Sequence, residues 1–331
     1  MSGSGRDTEV ADSTVVELDL AVDLLQTLGP LVASRQDPTI RLRPNAIARA
    51  AHTPQGPGTV VAERLADAPR SPVAVTSTHH SRRHLQRPRF RVRVHGPGGG
   101  WLLERVVGLL GGSDDLTGFR PELHRAVARA AHGRPGLRMV ATGTVADVLV
   151  PTIIAQRVTS LEAARAWTRL VRTLGSPAPG PLPLLLPPHP ATLTRTPAAV
   201  FHQLGIERAR ARRIVRACAA LDQLDAALSG ARGADRLAAM TAVEGVGPWT
   251  AAHLVRVGAG DADAVEVGDD HAKHLVAWNL AGEARATDER MLALLSPFAG
   301  HRGRVVRLLA SAGQWPPRFG HRHPLLPVER L

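Results

Sequence analysis

Between Ala239 and Lys273 the chain reads AMTAVEGVGPWTAAHLVRVGAGDADAVEVGDDHAK, a stretch that sets two glycines, a tryptophan and a carboxylate pair at fixed spacing. A helix-like segment runs into Gly245-Val246-Gly247, and a second helix opens at Pro248. Glycine lets a backbone turn tightly and brings its N–H groups close to another surface. Proline suits the first position of a helix, where no N–H is needed. Free amides at the positive end of a helix dipole form a seat for phosphate. Some twenty residues later Asp269 and Asp270 precede His271 at the start of another helix. An aspartate there caps the helix, and capping fixes the carboxylate in place. The stretch therefore reads as a helix–hairpin–helix that grips a DNA backbone, with an acid held beside it to act on that strand.

The rest of the composition agrees with a polyanionic partner. The net charge is +12 over 331 residues, and the pI is near 11.5; both favour nucleic acid. One cysteine, Cys218, excludes a disulfide framework, a Cys-rich zinc site and an iron–sulfur cluster. No run approaches the ~20 apolar residues of a membrane helix, and MSGSGRDTEVADS lacks an apolar signal core. A cytoplasmic, nucleoid-associated chain without membrane contact is the expectation. With five Trp, five Phe and no Tyr, any pocket for a base must be built from few rings.

These groups need elements to position them. After a disordered tail over 1–12, alternation of Val16, Leu18, Leu20 and Val22 with Glu17, Asp19 and Ala21 predicts a strand over 14–22. Further strands are expected at 39–43, 46–52, 59–65, 73–78 and 89–94, and an apolar helix at 101–112. Residues 13–112 thus form a small antiparallel sheet carrying helices. Helices dominate from 113 to 313. One spans 144–158 around Pro151, and Thr159-Ser160-Leu161-Glu162 is a capping box for the next. Residues 175–197 are expected to run as an extended Pro-rich connector without helix, and 207–222 as a strongly basic helix with a solvated face. A Pro-rich tail occupies 314–331. The fold class is α+β, mostly helical.

The motif Val243-Glu244-Gly245-Val246-Gly247-Pro248-Trp249-Thr250-Ala251, followed by Asp269-Asp270-His271, resembles the helix–hairpin–helix superfamily of base-excision DNA glycosylases. It looks most like the 3-methyladenine DNA glycosylase II branch. That branch joins an N-terminal subdomain resembling TATA-binding protein to a helical glycosylase domain. The likeness covers about 113–313 in sequence and the first 112 residues in architecture. Glu244 stands where the superfamily usually has Pro.

The resemblance implies roles. Gly245, Val246, Gly247 and Thr250 contact DNA, and the carbonyls of Val243 and Gly245 hold a monovalent cation; no divalent metal or organic cofactor is implied. Lyase members carry a Schiff-base lysine where Trp249 stands, so a monofunctional enzyme is expected. Trp249 and His253 line the base pocket; helix 302–313 adds no ring to it. The catalytic acid is Asp269 by the Asp-x-His pattern, or Asp270 by the Asp-Asp pattern of the branch. Gln156-Arg157 matches a Gln-containing turn whose second residue wedges into the base stack, here Arg rather than an apolar side chain. The implied reaction is release of an alkylated purine from double-stranded DNA by a monomer, leaving an abasic site. A hairpin protein that binds DNA without catalysis, and a glycosylase for another damaged base, are the alternatives.

Overall fold

The structure is a computed structural model and describes residues 13–66 and 87–317. The tail over 1–12, the strand expected at 73–78 and most of the C-terminal tail lie outside the described residues.

Five antiparallel strands form the N-terminal sheet: β1 (Ser13–Glu17), β2 (Ile40–Arg43), β3 (Ala46–Thr53), β4 (Gly56–Arg64) and β5 (Arg89–His95), in the order β1-β5-β4-β3-β2. Period-two patterning decides which face is which. Ile47, Val60, Ala62, Phe90 and Val92 are buried against helices on one side. β1 is shorter than the alternation suggests: pairing with β5 ends at Glu17, while Leu18 and Val22 still reach the core.

Two expectations fail for local reasons. The apolar run at 101–112 is not one helix but two, Gly99–Glu104 and Val106–Leu109. The Arg105 side chain stacks on the Trp101 ring and donates to the Trp101 carbonyl, while the Arg105 amide bonds Leu102 instead. The connector at 175–197 is not wholly extended. β6 (Ser176–Pro177) pairs with β7 (Leu185–Leu186), and Pro190–Arg195 is a helix, with Pro190 at its start and the His189 ring accepting the Ala191 N–H. Leu184 and Leu186 cover Ala48, Ala50 and Val61 on the outer face of the main sheet.

Among the described residues the helical region builds, besides a small cluster of Ala130, Leu137 and Leu308, two large apolar cores. One joins the sheet to the helices Ala146–Ile154, Ser160–Leu174, Arg208–Ala219 and Pro248–Gly258. The other gathers Val127, Val265, Leu275, Met291, Phe298, Val305 and Leu309. The segment 259–271 passes from the first core to the second. It is pinned by Asp263, which accepts the Gly300 and Arg302 amides and a bidentate contact from the Arg302 guanidinium. Its far end is tied by Asp288, which accepts the Gly268 N–H at 3.2 Å. Deeper in the second core, Arg304 and Asp114 form a fully buried bidentate pair at 2.6 and 2.7 Å.

Candidate active site

The hairpin forms as its residues require. Gly245 has φ +93°, a conformation that side chains other than glycine rarely adopt. A β-carbon there would also stand 3.2 Å from Arg213 Cβ. Val246 anchors the turn rather than lining the surface: its side chain is buried and its N–H donates to the Val243 carbonyl. Among the described residues, the amides of Gly245 and Gly247 make no backbone hydrogen bond. Gly247 then starts the Pro248–Gly258 helix, its carbonyl accepting the Ala251 N–H. Two unspent amides therefore stand at the positive end of a helix, open to an anion.

Trp249 and Asp269 meet across the seam between the two cores. The indole Nε1 donates to Asp269 Oδ2 at 3.0 Å. Asp269 Oδ1 accepts the amides of His271 and Ala272, each at 2.8 Å, and so caps the Ala272–Ala281 helix. Three donors thus fix the Asp269 carboxylate, which is half-buried. Asp270 and His271 both face solvent. Of the two adjacent acids, Asp269 is the one bonded to the hairpin helix, through Trp249.

His253 lies one turn beyond Trp249, with ring planes 22° apart and centroids separated by 6.0 Å. Its Nδ1 is 2.6 Å from Glu266 Oε1, the same oxygen that accepts Arg256 Nη2 at 2.6 Å. Burial pushes the Glu266 carboxyl up, but Arg256 and His253 more than offset it and hold it well below the usual carboxylate range. Glu266 therefore fixes one ring nitrogen of His253. Glu266 and Arg256 were not singled out in the sequence. The i, i+3 spacing of His253 and Arg256 puts them on one helix face, but nothing local marks Glu266 as their partner.

Gln156 and Arg157 sit where the Ala146–Ile154 helix ends. Arg157 is exposed and is the non-glycine residue with positive φ, at 56°, among those described. The turn is strapped on both sides. The Thr159–Glu162 capping box begins the next helix, and the Gln156 amide bridges two elements. Its Nε2 donates to Thr250 Oγ1 at 2.9 Å, and its Oε1 accepts Arg213 Nη1 at 3.0 Å. Thr250, itself buried, is thus a tie between the hairpin helix and the Gln156 turn. Arg213, not foreseen, joins that turn to the helix packed behind Gly245. Glu244 is exposed and pairs with Arg216.

No family model matches the chain, and no curated protein matches it. Solved structures do. A 3-methyladenine DNA-glycosylase from Archaeoglobus fulgidus superimposes with TM-score 0.71 at 15% identity, over 90% of this chain and 98% of that one. The apo-form of a Clostridium acetobutylicum 8-oxoguanine glycosylase/lyase gives TM-score 0.65 at 10% identity, over 91% and 96%. The same bacterial enzyme in complex with double-stranded DNA containing cytosine opposite 8-oxoguanine gives 0.63 at 12%, over 89% and 96%. The chain, an N-terminal five-stranded antiparallel sheet joined to a helical body, thus shares the fold of these solved DNA glycosylases.

Proposed function

We propose that this chain is a monofunctional DNA glycosylase that releases alkylated purines, N-methylpurines above all, from double-stranded DNA and leaves an abasic site. The observation that carries this reading is the hydrogen bond from Trp249 to Asp269 beside the Gly245–Gly247 turn. That bond ties a carboxylate to an aromatic side chain at the start of the hairpin helix, two residues after Gly247, at a position that holds no lysine.

A base inside a duplex is out of reach, so the nucleotide must rotate out, at a cost of about a few kcal/mol. The amides of Gly245 and Gly247 would bind the strand's phosphate. Arg157 projects from a strained, strapped turn and would fill the gap left in the stack, its guanidinium free to pair with phosphate. Trp249 and His253 would wall the pocket. An alkylated purine is cationic, so the indole face attracts it, and its glycosidic bond is already weak. When the C–N bond breaks, its electron pair leaves with the base and positive charge develops on the sugar. Asp269 would stabilise that charge and orient the attacking water, whose proton passes to bulk water as the new C–O bond forms.

The carbonyls of Val243 and Gly245 suit a monovalent cation. They are neutral oxygen donors on one turn, and the Val243 oxygen keeps a lone pair after accepting the Val246 N–H. Such an ion would brace the turn electrostatically. Among the described residues no cluster of His, Cys, Asp and Glu could hold a metal.

The test is base release from duplex DNA treated with a methylating agent, run beside hypoxanthine and 8-oxoguanine duplexes. Free methylpurine with the strand intact until alkali is added is the expected result. Borohydride should trap no covalent complex. The chain has a single lysine, Lys273, so a trapped adduct mapping there would replace this reading with a lyase. Duplex binding without release of any base would replace it with a binding protein.

A further inference from the structure

The Arg208–Ala219 helix carries RARARRIVRACA, and three of its five arginines, at 212, 213 and 216, line a cleft completed by Ala209, Glu244 and Gly245. They are not equivalent. Arg213 is half-buried, bonded to Gln156, and its backbone lies against Gly245. Arg212 is exposed and has no ion-pair partner among the described residues. Arg216 pairs with Glu244, yet the two side chains remain 53% and 72% exposed. The cleft thus holds three guanidinium groups and one carboxylate, directly beside the unspent amide of Gly245. That is an excess of positive charge at the mouth of an anion-binding turn.

We propose that this cleft seats a DNA backbone phosphate, and that Glu244 fills the seat in the free protein as a carboxylate stand-in. This rests on the DNA-binding reading above and deepens it: the arginines that would complete the hairpin's phosphate seat are named, and a competitor for them is built into the hairpin. Guanidinium groups match carboxylate and phosphate in the same bidentate way. A backbone phosphodiester carries one charge over two non-bridging oxygens, as Glu244 does, but the strand that bears it would also bring it to the Arg212 fork and the Gly245 N–H. The exposed Arg216–Glu244 pair is weak in water, so exchange costs little. Once displaced, Glu244 stands near the phosphate and repels it. The competitor therefore lowers affinity for any duplex, damaged or not, and favours release of the strand.

The experiment is titration of a labelled duplex, undamaged and carrying a stable abasic-site analogue, across a range of salt. Glu244→Gln should bind both duplexes about 3- to 10-fold more tightly than the wild type at low salt. Arg216→Gln should bind about tenfold more weakly, and its log Kd against log salt slope should be shallower by about one unit. Arg212→Gln, which leaves the ion pair intact, should shift in the same direction as Arg216→Gln. In the Arg216→Gln background, adding Glu244→Gln should gain less than it does in the wild type, because competition for Arg216 is gone and only the repulsion by Glu244 is left to remove. All three positions are exposed, and unchanged thermal unfolding would confirm that folding is intact. If Glu244→Gln binds no more tightly than the wild type, or neither arginine variant changes the salt slope, the phosphate seat is refuted while the glycosylase reading stands. If the wild-type chain binds no duplex, both fall.

Discussion

The two adjacent acids give the sharpest test, because they differ by one position and share nothing else. Asp269 accepts three hydrogen bonds, from Trp249 Nε1 at 3.0 Å and from the His271 and Ala272 amides at 2.8 Å. Asp270 is exposed. Replacing Asp269 by Asn keeps the shape and one carbonyl to cap the helix but removes the charge. At about 4 Å and an effective dielectric of about 20, a carboxylate and a developing cation attract by about 4 kcal/mol. The site is half-open, so solvent takes part of that. With about 1.4 kcal/mol per tenfold change, single-turnover base release should fall by about 10²- to 10³-fold. Stability should fall as well. The Asn amide nitrogen would face the Trp249 N–H, donor against donor, and a charge-assisted bond is lost, at about 1–2 kcal/mol. Asp270→Asn should alter release by less than about threefold and stability by less than about 0.5 kcal/mol. The assay is single-turnover release of 7-methylguanine or hypoxanthine from a defined duplex, with thermal unfolding alongside. If Asp270→Asn loses as much activity as Asp269→Asn, or Asp269→Asn remains within tenfold of the wild type, the assignment drawn from these hydrogen bonds is wrong.

Other outcomes follow from the same geometry. Trp249→Phe keeps a ring for the flipped base but loses the donor to Asp269; release should slow by about tenfold with duplex affinity nearly unchanged, whereas Trp249→Leu should lose both. Gly245→Ala forces a β-carbon to 3.2 Å from Arg213 at φ +93°; it should cost about 1–3 kcal/mol of stability and weaken binding of undamaged duplex, read by chemical denaturation and anisotropy. Glu266→Gln leaves Arg256 and His253 without their carboxylate and should cost about 3 kcal/mol at neutral pH. Because the folded-state Glu266 pKa lies below its ordinary 4.5, its stabilisation is present above that value and is lost as pH falls through the folded one. The difference in unfolding free energy between wild type and variant should therefore shrink below about pH 4; a difference that stays constant into acid would refute the charge-pair account. Arg304→Met strands the buried Asp114 carboxylate, 1% exposed, and should lower stability by about 3–5 kcal/mol in thermal unfolding.

Local chemistry made much of the site legible before any coordinates. Gly245, Gly247 and Pro248 require a tight turn opening a helix. The alternation in RFRVRV requires a half-buried strand, and Thr159 with Glu162 requires a helix start; each depends on residues within a few positions of one another. The run at 101–112 and the connector at 175–197 misled for the same reason. Apolar content and proline density are visible along the chain, whereas the Arg105 contact to the Trp101 carbonyl and the cap supplied by His189 are made by particular side-chain geometries.

By itself, then, the chain's order of residues determined the hairpin, the arrival of an acid at a helix start some twenty positions later, the sheet at the N-terminus and the lack of a hairpin lysine. Tertiary structure alone decided which acid turns inward, that Glu266 fixes His253, that Arg213 ties Gln156 to the back of the turn, and that Glu244 finds Arg216. The reason is physical. Backbone conformation answers to neighbours within a helical turn, whereas a side chain's partner is chosen by the packing of elements far apart in the chain. Trp249 and Asp269 meet because the pinned segment 259–271 carries the chain from the helix of one apolar core to the helix start of the other.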